Sequence, residues 1–103
     1  MENDGNVVIN ITLTATQLFV QAPLGNPNYR YKANTTSELN SFNYSGSNTS
    51  FINVPLLNGL LLGQFNYTNT ADSAIVDIEI NVPLDEPGGI KTSTMTFTGV
   101  RDR

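Results

Sequence analysis

The sequence predicts an all-β protein, an antiparallel immunoglobulin-like β-sandwich of about seven strands. Good helix formers are scarce among the 103 residues, whereas Thr, which favours strands, and Asn, which favours turns, are abundant. Several segments alternate apolar and polar residues, and turn signals separate them about every eight to twelve residues. The paired cysteines and core tryptophan of true immunoglobulin domains are absent, so the prediction concerns the architecture only.

The first predicted strand lies within residues 6–20, where apolar residues recur at every second position. Residues 1–5 before it are polar and contain a glycine, so they should be mobile. One hypothesis is that this strand pairs through a free edge with a neighbouring subunit, giving a dimer or a filament. The alternative is that it packs in its own sandwich. The candidate interaction residues are Val7, Ile9, Ile11 and Leu13.

The middle of the chain contains three more predicted strands. Residues 29–33 place Tyr29, Tyr31 and Ala33 on one side of a strand that follows a turn rich in Pro and Gly. A polar stretch then leads to a short strand over 50–57. The Asn58-Gly59 turn precedes a strand over 60–68, in which Gly63 predicts a bulge or a close contact.

The last two predicted strands span 73–82 and 90–100, on either side of a loop containing Pro and Gly. If they pair as a hairpin, their apolar faces agree only when paired positions sum to 173, which sets Ile78 opposite Met95 and Val76 opposite Phe97. The residues expected to face inward are Ala74, Val76, Ile78, Ile80, Val82, Met95 and Phe97.

Two similar stretches, "FNYSGSNTS" and "FNYTNTADS", begin at Phe42 and Phe65. We interpret these two phenylalanines as core residues, with Tyr44 and Tyr67 on the same side. The chain also contains five Asn-Xaa-Ser/Thr acceptor sequences for N-glycosylation in positions predicted to be outward or in loops. An alternative is a sugar-binding surface formed by Tyr29, Tyr31, Tyr44 and Tyr67. The five acceptor asparagines are Asn10, Asn34, Asn43, Asn48 and Asn66.

The chain is expected to form a single domain over residues 1–103, with a net charge of −4 and an isoelectric point near 4.4. Only five basic residues are present, and they are scattered, so the sequence argues against binding to nucleic acid or anionic lipid. It contains no stretch long enough for a membrane span. The first residues do not resemble an export signal, which fits either a cytosolic protein or, as we favour, an exported domain without its export segment.

Catalytic and metal-binding chemistry has little support in the sequence. The absence of Cys and His excludes disulfides and removes the usual zinc ligands and two common catalytic groups. Asp77 and Glu79 fit a solvated strand face, and Asp85 with Glu86 fits a polar turn better than a Ca²⁺ site. We therefore expect no enzyme activity, no catalytic residue, no bound metal and no cofactor.

The stretch "FNYTNTADSAIVDIEINVPLDEPGGIKTSTMTFTGV" resembles a closing hairpin found in prokaryotic surface proteins. Its alternating strand, "VP", acidic and glycine-containing loop and Thr-rich strand ending in "TFTG" are similar to archaeal envelope domains and to secreted fibre subunits related to camelysin. The opening "VVINITLTAT" is similar to their first strand. The resemblance implies an extracellular structural role and contributes no catalytic residue.

These observations favour a non-enzymatic structural or interaction module of an extracellular envelope or filament, binding other subunits or itself through sheet edges or faces. Two alternatives stay open. One is a carbohydrate-binding or adhesive module. The other is an accessory domain of a surface appendage that docks onto a cell-surface lattice.

Overall fold

The computed structural model describes residues 1–19, 24–55 and 58–101, and within them it is all-β, as predicted. Six strands are present in these ranges, against the seven or so expected. A single turn of 3-10 helix, Tyr44–Gly46, is the one helical element in the described ranges. The strands are β1 (Ile9–Ala15), β2 (Tyr29–Asn34), β3 (Ile52–Asn53), β4 (Gly59–Phe65), β5 (Ile75–Ile80) and β6 (Met95–Arg101).

The strands form two antiparallel three-stranded sheets, β4-β1-β6 and β3-β2-β5, that pack together as a sandwich. The sandwich architecture predicted from the sequence is therefore confirmed. The third predicted strand is shorter than expected, since β3 contains two residues, and Leu56 and Leu57 of the predicted span lie outside the described residues.

The core lies between the two central strands, β1 and β2. Leu13 of β1 and Tyr31 of β2 are completely buried, and the predicted alternation of both strands is confirmed. Phe42 and Phe65 are also buried, as interpreted from the two repeated stretches. The buried apolar cluster consists of Ile11, Leu13, Tyr29, Tyr31, Ala33, Phe42, Val54, Leu61, Leu62, Phe65 and Ala74.

The predicted hairpin of the last two strands is wrong. Strand β5 pairs with β2, where Ile78 lies opposite Tyr31, and β6 pairs with β1, where Met95 lies opposite Ala15. The segment between β5 and β6 covers residues 81–94, which is long enough to cross from one sheet to the other. Alternation identified the apolar face of each strand but not the strand beside it.

One side of the sandwich is closed by residues 43–48. The backbone N–H of Asn48 donates to the Leu61 carbonyl of β4 at 3.1 Å, and the Asn48 carbonyl accepts from Ala33 of β2 at 2.6 Å. The Asn43 N–H donates to the Gly63 carbonyl at 2.9 Å. This segment thus supplies backbone hydrogen bonds to both sheets.

Glycine is required at position 63 because the closing segment passes directly over it. A Cβ atom there would lie 2.6 Å from the Gly46 carbonyl oxygen, far inside ordinary contact distance. The close contact predicted for Gly63 is therefore confirmed. Pairing of β1 with β4 is also irregular between Ile9 and Thr12, where the register shifts as in a β-bulge.

Candidate functional site

One edge strand of each sheet, β5 in one and β6 in the other, exposes residues that face the interior. Ile78 and Phe97 lie opposite Tyr31 and Leu13 in their sheets, and directly opposite residues share a face. Because Tyr31 and Leu13 are completely buried, Ile78 and Phe97 also point toward the space between the sheets. Nevertheless Ile78 is 48% exposed and Phe97 is 41% exposed.

We call this region the open side, defined by the outer edges of β5 and β6 and by the inward residues Ile78, Ile80 and Phe97. Both strands are the last in their sheets, and no β-pairing joins their outer edges within the described ranges. Residues 1–3 pair with residues 72–74 immediately before β5, so the open edge of β5 starts after that pairing. The predicted inward orientation of Val76, Ile78 and Ile80 is thus confirmed, but Ile78 and Ile80 are incompletely covered, and Val82, also predicted to face inward, lies beyond the end of β5 and is exposed.

The two edges of the open side differ in charge. On β5, Asp77 accepts a hydrogen bond from Asn34 at 3.4 Å, and Glu79 forms an ion pair with Arg30. On β6, the stretch from Met95 to Val100 contains no charged residue, and its six consecutive pairs with β1 show no bulge. Natural sheets commonly protect their edges with charge, proline or a bulge, and β6 has none of these over that stretch.

The candidate interaction strand named near the start of the chain is the centre of its own sheet. Strand β1 has β4 on one side and β6 on the other, which agrees with the alternative that it packs in its own sandwich and leaves it no unpaired edge. Ile11 and Leu13 are buried, while Val7 and Ile9 are half-buried. The physical reason is that Ile11 and Leu13 supply core contacts while both backbone edges of β1 are paired within the chain.

The five predicted glycosylation sites differ in how their side chains are bonded. At Asn48 the Nδ2 group, the atom that carries a glycan, donates to the Tyr31 hydroxyl at 3.4 Å and to the Leu60 carbonyl. At Asn66 both hydrogen bonds described for the side chain use Oδ1, which accepts from the Tyr67 N–H and the Thr68 hydroxyl.

The remaining three acceptor sites also take part in local structure. Asn10 accepts from the Gln64 backbone N–H at 2.9 Å, and Asn34 donates to Asp77. Asn43 caps the 3-10 turn by accepting from the Gly46 N–H at 3.2 Å. Its Nδ2 group donates to the Gln64 side chain at 3.1 Å.

The four tyrosines proposed as a sugar-binding surface do not form one. Tyr29 and Tyr31 are buried in the core because they occupy the inward positions of β2, while Tyr44 and Tyr67 are exposed. Tyr44 stacks on Phe42, with ring centroids 6.4 Å apart. In each repeated stretch the phenylalanine is therefore buried and the tyrosine is exposed.

A shallow concavity beside Phe42 gathers four carboxamide side chains. Its volume is about 520 Å³. Two of the lining residues, Asn40 and Gln64, have left-handed backbones with φ of 64° and 52°. Such conformations are uncommon for residues other than glycine, and they cluster at functional sites. The lining residues are Val8, Asn40, Phe42, Asn43, Gln64 and Asn66.

Three carboxylates that are distant in sequence meet near the N-terminal segment. Carboxylate oxygens of Glu2, Asp4 and Asp72 all lie within 4.8 Å of one another. Two backbone hydrogen bonds hold the segments together: the Asn3 N–H donates to the Asp72 carbonyl at 2.8 Å, and the Ala74 N–H donates to the Met1 carbonyl at 2.9 Å. Sequence reasoning missed this cluster, because Asp72 is about 70 positions from Glu2 and Asp4 and no local pattern relates them.

The pKa values of carboxyl groups in the acidic cluster and beside it are shifted, two upward and one downward. Burial and a hydrogen bond with Glu38 raise the pKa of the Asp72 carboxyl. A hydrogen bond with Asp4 and the negative charge of that residue raise the pKa of Glu2. In contrast, hydrogen bonds from the Ser73 hydroxyl and the Asp72 backbone N–H lower the pKa of Glu38.

Asp85 and Glu86, which the sequence analysis weighed as a Ca²⁺ site, lie in the loop between β5 and β6. The Glu86 carboxylate forms an ion pair with Lys91 at 2.6 Å, and its backbone N–H donates to the Pro83 carbonyl. Both contacts of Glu86 therefore join residues of the same loop, as in the polar turn that the sequence favoured.

In the described ranges no helix reaches the length and hydrophobicity of a membrane span. Comparison with known proteins found no matching family model, no similar curated protein and no similar solved structure.

Proposed function

We propose that this protein is a non-enzymatic interaction module that associates with a second copy of itself through the open side of its sandwich. The observation that carries the proposal is the pair of unpaired sheet edges flanking inward apolar residues that remain half exposed. An added strand would satisfy the backbone groups of an edge and would cover the apolar row at the same time.

The charge of the edges favours β6 as the strand that pairs with a second copy. A two-fold contact between two β5 edges would bring Asp77 and Glu79 of each copy near the same residues of the other, and like charges on neighbouring strands are destabilising. A two-fold contact between two β6 edges brings Thr96, Thr98 and Phe97 together without opposing charges. Thr–Thr pairs and aromatic pairs across strands are favourable.

Pairing of two β6 strands would join two three-stranded sheets into one continuous six-stranded sheet across a two-fold axis. Such a contact does not depend on a deep cleft or a reactive residue. It suits a structural unit of an extracellular envelope or filament, the setting favoured by the composition and by the resemblance to archaeal envelope domains and secreted fibre subunits.

The test is the concentration dependence of the molecular mass, measured by analytical ultracentrifugation. The variant Thr98→Lys adds a charge to the exposed outward face of β6, so the two copies would place two lysines on neighbouring strands of the contact. We expect the wild-type chain to dimerise, and we expect the dissociation constant of the Thr98→Lys dimer to be at least tenfold higher. Thr70→Lys is the matched control, because it adds the same charge in an exposed turn away from β6.

Two results would contradict the proposal. One is a wild-type chain that remains monomeric up to about 1 mM, the upper end of the range for a specific weak contact. The other is an equal loss of association in Thr98→Lys and Thr70→Lys, which would indicate an effect of overall charge and not of the β6 edge.

A carbohydrate-binding function is the second candidate, favoured by the carboxamide-lined concavity beside Phe42. Amide groups both donate and accept hydrogen bonds, which suits the hydroxyls of a sugar. Asn40→Gly removes one of these amides and keeps a residue that accepts the left-handed backbone at that position. If the concavity binds sugars, glycan-array signals fall in Asn40→Gly and persist in Asn69→Gly, an exposed asparagine in a turn. An array without signal for the wild-type chain rejects this candidate.

A further inference from the structure

We infer that the carboxylates of Glu2, Asp4 and Asp72 form a binding site for a hard divalent cation, with Ca²⁺ as the ion that fits best. The three groups come from two segments about 70 positions apart in the chain, and their oxygens converge to within 4.8 Å. Carboxylate oxygens are the ligands that Ca²⁺ prefers. None of the three carboxylates takes part in the ion pairs described for the structure, which join Arg30 to Glu79 and Lys91 to Glu86.

Asp72 provides the observation that distinguishes this cluster from an ordinary acidic surface. The residue is only 4% exposed, and its Oδ1 atom has no hydrogen-bond partner within the described structure. A buried carboxylate oxygen without a partner is costly, since the group loses its water and gains nothing in return. A cation bound between Asp72 and the two exposed carboxylates would supply the missing interaction.

Like-charge repulsion points to the same ion. Three carboxylates whose oxygens lie within 4.8 Å of one another repel each other when they are ionised. A divalent cation offsets this repulsion directly. It also requires ionised ligands, so its binding should weaken when the pH falls toward the carboxylate range.

The arrangement favours Ca²⁺ over Mg²⁺. Ca²⁺ accepts six to eight oxygens in flexible geometry, and two of the three residues here are exposed, so water can complete the shell. Mg²⁺ demands a near-octahedral arrangement with short distances, which a cluster joined across two separate segments is poorly suited to enforce. Glu38 lies beside the cluster, but its Oε1 atom accepts hydrogen bonds from Ser73 at 2.8 Å and from the Asp72 N–H at 3.4 Å. We therefore assign it the role of holding the Asp72 segment in place.

The experiment is calorimetric titration of the full chain with CaCl₂ after removal of divalent ions, with NaCl of matched ionic strength as the reference. We expect one saturable site with a Kd on the order of 10⁻⁴–10⁻³ M, the range of extracellular Ca²⁺ modules. Glu2→Gln and Asp4→Asn should each weaken binding at least tenfold. Asp85→Asn, an exposed carboxylate in the β5–β6 loop, is the matched control and should bind as the wild-type chain does.

A second readout separates a cation site from a structural role of the buried carboxylate. In the presence of a chelator, Asp72→Asn should melt at the same temperature as the wild-type chain or above it, because it replaces a buried carboxylate whose Oδ1 atom has no hydrogen-bond partner by a neutral amide. Added CaCl₂ should raise the melting temperature of the wild-type chain and leave that of Asp72→Asn unchanged. The inference is overturned if the wild-type chain shows no saturable binding up to about 10 mM, a limit set tenfold above the weakest expected Kd. It is also overturned if Asp85→Asn weakens binding as much as Asp4→Asn does.

Discussion

Replacing Gly63 by alanine tests whether the segment over residues 43–48 stabilises the fold. The new Cβ atom would lie 2.6 Å from the Gly46 carbonyl oxygen, and ordinary contact begins at 3.4 Å, so the two backbones must separate by about 0.8 Å. The obstacle is a backbone carbonyl and not the flexible end of a side chain. The clash therefore cannot be relieved by a change of rotamer.

Separation of these backbones weakens the contacts that fix the closing segment. The Gly63 carbonyl accepts from the Asn43 N–H at 2.9 Å, and the Gly63 N–H donates to the Ser47 hydroxyl at 2.8 Å. Steric strain of this kind costs about 1–3 kcal/mol, and each weakened hydrogen bond costs up to about 1 kcal/mol. We expect Gly63→Ala to lower the free energy of unfolding by about 2–4 kcal/mol. For a domain of this size, that corresponds to a fall in melting temperature of at least ~8 °C.

The assay is urea denaturation followed by circular dichroism, with Gly88→Ala as the control. Nothing lies within 4 Å of a Cβ atom at Gly88, and its backbone is not left-handed, so alanine there should be neutral or stabilise by up to about 1 kcal/mol. If Gly63→Ala unfolds within about 0.5 kcal/mol of the wild-type chain, well below the expected strain, the close passage of residues 43–48 over β4 is not the constraint that we describe.

Three further predictions concern the core, the glycan acceptors and the first strand. Burial raises the pKa of Tyr31, so the folded chain holds that phenol proton more tightly than the unfolded chain does. The free energy of unfolding should therefore fall as the pH rises above about 10, and the urea midpoint of Tyr31→Phe should fall less over that pH range than the midpoint of the wild-type chain. In a glycosylating host, mass spectrometry of the folded protein should find Asn66 modified and Asn48 unmodified, since the Asn48 Nδ2 group is hydrogen-bonded against the core; a glycan at Asn48 in folded protein would contradict this. Deletion of residues 1–14 removes nearly all of the central strand β1, so circular dichroism should show an unfolded chain at every concentration; a stable truncated monomer would instead support exchange of this strand between subunits.

The sequence was most informative where one face of a strand is fully covered. Alternation in β1 and β2 predicted the burial of Leu13 and Tyr31, because each strand has a face that can be satisfied only in the core. Alternation in β5 and β6 also identified the inward face correctly. It contained no information on how completely Ile78 and Phe97 are covered, since coverage depends on the neighbouring strand and not on the strand itself.

Partner choice and the acidic cluster depend on contacts between distant parts of the chain, and local patterns do not encode them. The proposed register between Val76 and Phe97 matched the two apolar faces, yet the strands lie in different sheets. Likewise Asp72 stands in a polar turn in the sequence, and only the pairing of residues 1–3 with residues 72–74 brings Glu2 beside it.

The central place of β1 has a consequence for the order of events during synthesis. Ile9 leaves the ribosome well before its partner on β6, Arg101, which follows 92 positions later. At about 5–20 residues per second, β1 waits roughly 5–18 s for that neighbour. Until β4 has been synthesised neither neighbour of β1 is present, and β4 can then pair with only one of its two edges. The second edge of β1 is therefore open to pairing with other chains until β6 arrives.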